Sequence, residues 1–403
     1  MHLPAIQAPS RRRTQARSGR ARGSRPGPGD RALPRLQLPR LQLPRLLLPL
    51  LLLALLLGGC RRSASSSASG ASARSFYLWR GELTLDARDR STLEALKVKR
   101  LYLRVFDVTW SARRKRPDQT PSLRITGTPE DWVELVPVVF ITPDVFRDLG
   151  PGRLPWLAGH LLDQIAAVLG PTRFRRTREL QIDCDWYPTI RGPYFGFLRE
   201  LSRQAAARAG RRLVLSATLR LHQLADRDAA GMPPTDRVTL MLYSLTPVRR
   251  FGTQNALLDP GVVEAYLRRA GPYPLPVDVA LGLFSWAAHF NADRELLGLI
   301  REVRAADLDG LAGLQKEKGA VYRVTGETRL GPHKLLVGDR LRLDEQRLED
   351  VLTVARMLRA RLRQLGLRPP EHPILFHYDP EVIRRFTGGR PLELRAVYQA
   401  LEE

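Results

Sequence analysis

The stretch Glu179–Glu200, with the sequence ELQIDCDWYPTIRGPYFGFLRE, decides the fold because it joins a short strand to the start of a helix. Leu180–Trp186 is a bounded run of strand length. Gly196–Ala209 has a helical pattern and is followed by Gly210, a residue typical of helix ends. A strand that feeds directly into a helix is the repeating unit of parallel α/β architecture.

Two carboxylates lie close to the end of this predicted strand. Side chains alternate along a strand, so Asp183 and Asp185 are expected on one face, with Cys184 and Trp186 on the other. The apolar side would pack under a helix, with Cys184 as a small buried hydrophobe. Both aspartates would then point into a barrel at the carboxyl end of the strand, where barrels of parallel strands carry their active sites.

Strand-like and helix-like segments alternate along the rest of the chain. Short apolar runs bounded by polar turns predict seven more strands: Phe76–Arg80, Lys99–Val108, Glu134–Ile141, Arg212–Leu219, Arg237–Leu245, Pro276–Trp286 and Ile374–Asp379. Helical segments separate most of them: Thr92–Lys97, Leu154–Leu169 and Val262–Arg269. Eight such strands predict an α/β fold of the TIM type, a (β/α)8 barrel over residues 76–403.

A small insertion is predicted between the seventh and eighth strands, at about residues 320–345. Val321–Thr325, Lys334–Val337 and Asp339–Leu343 have the pattern of short strands. Asp344–Leu365 follows as an amphipathic helix. Two interpretations remain: an insert that walls one side of a cleft, or a helix of the outer ring preceded by a surface hairpin.

The front of the chain has the pattern of a secretory signal. Residues 1–59 contain eleven arginines and one acid, Asp30, and end in the apolar run Leu46–Leu57 and two glycines. This run is shorter than the roughly twenty residues of a membrane span. An uncut signal anchor is the alternative. The basic part is long for a signal, so translation is expected to start downstream of Met1.

Leu57-Gly58-Gly59-Cys60 resembles the lipobox of bacterial lipoproteins. That resemblance implies cleavage before Cys60 and acylation of this cysteine, which would anchor the chain to a membrane. Residues 60–75 would form the anchored end and a flexible Ser/Ala/Gly tether. Because Arg61 follows the cysteine, the sorting rule of enteric bacteria implies the periplasmic side of the outer membrane of the cell envelope.

Composition argues against several functional classes. The net charge of +24 includes +10 from residues 1–59, and no basic stripe is interleaved with aromatic residues, so no nucleic-acid partner is predicted. The histidines lack metal-ligand spacing, and there is no HExxH, GxSxG, P-loop or dinucleotide motif. We therefore predict neither a metal nor a cofactor.

The fourth strand resembles the D-x-x-D-x-D-x-E signature of chitinase-type glycosidases, glycoside hydrolase family 18. Asp183 and Asp185 match that signature, Leu180 replaces its first aspartate, and Tyr187 stands where the proton-donating glutamate belongs. The resemblance implies a glycan partner, with Asp185 orienting an N-acetyl group and Tyr243 holding it. Asp183 would raise the pKa of Asp185 by like-charge repulsion.

Further residues are candidates at the same barrel mouth. For substrate binding these are Trp79, Asp107, Tyr187, Trp286 and His377. A carboxyl donor in place of Tyr187 would come from Glu82, Asp107, Asp144 or Asp379. The structural alternative for these aspartates is to cap helices or to pair with an arginine such as Arg80 or Arg104.

The order of the segments FYLWR, LYLRVFDV, LQIDCDW, LSATL and VTLMLYSL also resembles an uncharacterised family of secreted or lipid-anchored bacterial proteins. That resemblance implies a barrel but no activity. Two hypotheses follow. The first is an anchored enzyme acting on envelope glycans, with Asp183, Asp185 and Tyr243 as the catalytic group. The second is a catalytically inactive barrel serving as a glycan- or protein-binding lipoprotein.

Overall fold

The computed structural model describes residues 72–403. The signal region, Cys60 and most of the tether predicted above lie outside the described residues. Across 72–403, no helix is both long enough and apolar enough to cross a bilayer.

Eight parallel strands close into a barrel in this part of the chain, so the predicted TIM-type (β/α)8 fold is confirmed. In chain order the strands are β1 Arg74–Leu78, β2 Val98–Ser111, β3 Glu134–Ile141, β4 Glu179–Asp183, β5 Val214–Arg220, β6 Arg237–Leu242, β7 Val277–Gly282 and β8 Pro373–Phe376. Each pairs with the next, and β1 pairs with both β2 and β8, which closes the ring. The carboxyl ends of all eight strands therefore meet at one mouth.

Helices surround the barrel. In chain order they are α1 Ala87–Ala95, α2 Pro143–Asp148, α3 Leu154–Arg176, α4 Arg191–Ala209, α5 Leu221–Ala225, α6 Arg227–Ala230, α7 Pro260–Arg269, α8 Ala305–Leu308, α9 Leu348–Gln364, α10 Pro380–Phe386 and α11 Leu394–Glu402. Helix α3 is kinked at Gly170, where φ is +75° and Pro171 follows. Helix α9 packs against α7 and α11, so it belongs to the outer ring.

A five-stranded antiparallel sheet lies between β7 and β8. Its strands are Ser285–Phe290, Leu296–Arg301, Leu314–Lys316, Val321–Val324 and Arg340–Glu345, and a separate hairpin pairs Thr328–Leu330 with His333–Leu335. The insert therefore begins near Ser285 rather than near residue 320. The sequence hides this boundary because Ser285–Phe290 is as apolar as the strand before it.

Two predicted element bounds need correction at the mouth. Strand β4 ends at Asp183 and not at Trp186, so Asp185 lies in the following loop. Trp286 lies in the inserted sheet and not in a barrel strand. The segment between β2 and β3 also contains two short strands: Arg116–Gln119 pairs with the extended end of β2, and Arg124–Ile125 pairs with Glu82–Leu83.

Candidate functional site

Asp183 lies inside the barrel at the end of β4. It is 6% exposed, and the Thr218 hydroxyl on β5 donates to its Oδ1 at 2.7 Å. Burial, and next the negative charge of Asp185, raise the pKa of Asp183 to about 7. Near neutral pH this carboxyl therefore exchanges a proton, as the acid or base of a catalytic site must.

Asp185 is held by an arginine that we did not identify from the sequence. Arg220, the last residue of β5, donates from Nε to Oδ1 and from Nη2 to Oδ2 at 2.9 Å. Its Nη1 also donates to the Tyr243 carbonyl at 3.3 Å. The pair is largely buried, with side-chain exposures of 14% for Arg220 and 20% for Asp185. The Asp185 carboxylate is therefore fixed and charge-balanced, as the structural alternative expects of a strand-end aspartate.

Tyr243 follows β6 and is buried beside these groups. Its ring stacks on Phe376 with centroids 4.8 Å apart. Its hydroxyl makes no hydrogen bond within residues 72–403. Burial raises the pKa of the phenol well above its ordinary value. A buried hydroxyl without a partner is costly, so this oxygen is available to a polar group that reaches it.

An aromatic cluster closes the centre of the mouth. Phe376 contacts Tyr77, Trp79, Tyr243 and Phe284, with ring centroids between 4.8 and 5.7 Å apart. These five residues pack together at the mouth end of the barrel, and none is more than 6% exposed. We call them the aromatic plug.

A small cavity lies beside the plug. Its volume is about 20 Å³, enough for one water molecule and too small for a sugar. It is lined by Trp79, Phe284, Ser285, Trp286, Arg301, Glu302, Phe376 and His377. The predicted residues Trp79, Trp286 and His377 are thus brought together around it, next to the inserted sheet.

Glu302 is a site residue that sequence reasoning missed. It follows the inserted strand Leu296–Arg301 with a φ of +54°, and its Oε2 has no hydrogen-bond partner in the described part of the chain. Burial raises the pKa of its carboxyl to about 7. No motif marks this residue, because only the fold of the insert carries it to the mouth.

The predicted aromatic and histidine residues differ in exposure and partners. Trp286 is 4% exposed, and its Nε1 donates to Asp344 at 2.8 Å. The Nδ1 of His377 has no partner among residues 72–403, and burial lowers the pKa of its imidazole to about 4. Tyr187 is 38% exposed at the rim. Among these residues, Tyr187 is therefore placed to meet a ligand from solvent.

The other acidic candidates have structural partners. Arg104 pairs with Asp107 through both Nε and Nη2, and Asp379 caps α10 by accepting from the amides of residues 381 and 382. Asp144 accepts from Thr142, and Glu82 pairs with Arg124. Within residues 72–403, no three metal-ligating side chains group together.

The alternation along the opening stretch holds beyond the end of β4. Trp186 packs against Tyr194 and Phe195 of α4, and its Nε1 donates to the Ala230 carbonyl at 3.0 Å. Cys184 is fully buried. The predicted packing of this face under a helix is therefore confirmed.

Comparisons with known proteins found chitinase-like barrels among solved structures. The spore cortex-lytic enzyme SleL of Bacillus cereus is 14% identical, with a TM-score of 0.47 over 81% of this chain and 74% of that one. A chitinase from Chromobacterium violaceum is 13% identical, with a TM-score of 0.48 over 83% and 100%. A glycoside hydrolase family 18 N-acetylglucosaminidase from Paenibacillus barengoltzii is 13% identical, with a TM-score of 0.46 over 82% and 100%. No family model and no curated protein sequence matches the chain.

Proposed function

We propose that this protein is a lipid-anchored component of the bacterial cell envelope whose barrel mouth binds a glycan without hydrolysing it. The observation that carries the proposal is the aromatic plug, with Phe376 at its centre. A glycosidase must seat the sugar ring next to its carboxyl groups, and we infer that the aromatic plug occupies that place here. A glycan would therefore lie across the rim.

The carboxylates support binding rather than turnover. Arg220 holds Asp185 in a two-point ion pair, which balances its charge and fixes its orientation. The donor position of the chitinase-type motif carries Tyr187 in place of a carboxylic acid. The proposed binding role uses neither residue as a proton donor.

The rim offers the groups that sugar recognition uses. Tyr187 presents an exposed ring for stacking, while the partly exposed Asp185 carboxylate accepts hydrogen bonds from sugar hydroxyls. Placement in the envelope follows from the lipobox-like residues before Cys60. A glycan of the cell wall or its surroundings is then the ligand within reach.

A hydrolase is the second candidate, and one observation favours it. Asp183 and Glu302 each have a pKa raised to about 7, which suits a general acid. This candidate requires the aromatic plug to move when the glycan binds.

Calorimetric titration of the full chain with an N-acetylglucosamine hexamer tests the binding proposal. Tyr187→Ala and Asp185→Asn should each weaken binding by about tenfold, which corresponds to the loss of one stacking or charge-assisted contact. Asp228→Asn is the matched control, because the Asp228 side chain is 98% exposed and its ion pair is with Arg227. Equal affinities for all four proteins, or no binding at all, would contradict the proposal.

A further inference from the structure

A cavity of about 780 Å³ lies at the end of the barrel opposite the mouth. Glu134 begins β3 there, Arg178 immediately precedes β4, and Arg211 lies in the turn before β5. The cavity is thus built at the amino ends of the strands. It shares no residue with the aromatic plug or with the small cavity beside it.

Four arginines line this space: Arg173, Arg176, Arg178 and Arg211. Two of them are oriented by backbone carbonyls. Arg173 donates from Nη2 to Gly127 O at 2.7 Å, and Arg211 donates from Nη2 to the carbonyls of Arg175 and Thr177. A guanidinium carries five N–H groups, and the bonds of Arg211 to these carbonyls use only its Nη2, so this side chain keeps further donors for a ligand.

Negative charge in the cavity is smaller than the positive charge. Asp131 and Glu134 are the two carboxylates in its lining. Glu134 is already paired with Arg100, which donates to its Oε2 at 2.9 and 3.2 Å. Arg176 and Arg178 have no carboxylate within salt-bridge distance among residues 72–403. Arg176 and Arg178 therefore bring positive charge to the cavity that no carboxylate of the described residues balances.

We propose that this cavity binds a phosphate-bearing anion. Guanidinium groups match phosphate oxygens in two-point hydrogen bonds, and several arginines around one space suit a doubly charged group better than a single carboxylate. The volume lies within the range of small-ligand sites. This site is independent of what the mouth binds.

The phosphate has two possible sources, a soluble phosphate compound or the headgroup of an anionic lipid. Strand β1 begins at Arg74 at this same end of the barrel, so a chain acylated at Cys60 enters the barrel on the side of the cavity. The chemistry of recognition is shared, and the two sources differ in whether a membrane must be present.

The test uses the full chain and two probes. Pyrophosphate binding is measured by calorimetry, and co-sedimentation is measured with vesicles of phosphatidylcholine alone or with 30% phosphatidylglycerol, a mixture chosen at roughly the anionic content that attracts basic segments. The variant is Arg176→Gln with Arg178→Gln, both on exposed side chains that tolerate substitution. The control is Arg113→Gln with Arg249→Gln, which removes the same charge at the mouth end.

Pyrophosphate binding that weakens on the order of tenfold per arginine removed, with the control unchanged, supports a soluble phosphate ligand. Binding only to anionic vesicles, lost in the same variant and kept in the control, supports a lipid headgroup. Absence of binding to either probe overturns the proposal. An equal loss of binding in the variant and in the control also overturns the proposal, since net charge alone would then explain the binding.

Discussion

Arg220 and Asp185 form a two-point ion pair that links the end of β5 to the loop after β4. Replacing the arginine alone leaves the Asp185 carboxylate without its partner in a largely buried position. We expect Arg220→Gln to lower the free energy of unfolding by about 3 kcal/mol, measured by urea denaturation. Arg220→Gln with Asp185→Asn should recover part of that loss.

Arg203→Gln is the control for this prediction, because Arg203 pairs with Glu200 on the exposed surface of α4. Exposed pairs contribute little to stability, so this variant should unfold close to the wild type. If Arg220→Gln behaves like Arg203→Gln, the ion pair does not organise the mouth.

Asp183 should make stability depend on pH. Its pKa is about 7 in the folded protein against an ordinary 3.8, so the folded state binds more protons between these values. The stabilising contribution is complete below about pH 4 and is lost as pH rises through 7. The free energy of unfolding of Asp183→Asn should therefore rise relative to that of the wild type as pH increases across this window, by up to about 1.4 kcal/mol per pH unit.

The measurement is the difference in unfolding free energy between Asp183→Asn and wild type from pH 4 to 8. Taking the difference cancels the contributions of groups that both proteins share. One of these is His377, whose lowered pKa of about 4 makes stability rise with pH rather than fall. For Asp228→Asn, the curve of unfolding free energy against pH should run parallel to that of the wild type. A parallel curve for Asp183→Asn would show that this carboxyl is ionised throughout.

The aromatic plug should contribute strongly to stability. Phe376 is 4% exposed and contacts four rings, so Phe376→Ala should cost about 3–5 kcal/mol and leave a larger cavity at the mouth. Leu297→Ala is the control, since Leu297 is 58% exposed. Denaturant unfolding measures both. A loss no larger than that of the control would mean that the plug is loosely packed.

Acylation at Cys60 predicts membrane attachment. Metabolic labelling with a clickable palmitate analogue should mark the wild-type protein and Cys184→Ser but not Cys60→Ser. Cys184 serves as the control because it is buried in the barrel. Label retained in Cys60→Ser would rule out this residue as the lipid site.

The barrel could be predicted from sequence because its strands are short apolar runs between polar turns. Glu134–Ile141 was predicted to the residue, and the packing of Trp186 under α4 followed from alternation alone. The insert boundary was wrong because Ser285–Phe290 is apolar in the same way as β7, although it pairs in a different sheet.

The partners of the site residues could not be predicted in the same way. Arg220 lies 35 residues after Asp185, and only the closure of neighbouring strands brings the two together. The folded insert brings Glu302 to the mouth. The cavity lined by arginines is built from segments that are separate in the sequence. Such contacts depend on register and loop geometry, which local sequence patterns do not encode.

The central claim is that the mouth binds a glycan and does not cleave it. The most direct measurement is chromatographic analysis of an N-acetylglucosamine hexamer after prolonged incubation with saturating full-length protein, at pH 5 to 8, with binding verified in the same sample. We predict intact hexamer at every pH. Shorter oligosaccharides that appear with the wild type and disappear with Asp183→Asn or Glu302→Gln would contradict this account and establish a hydrolase.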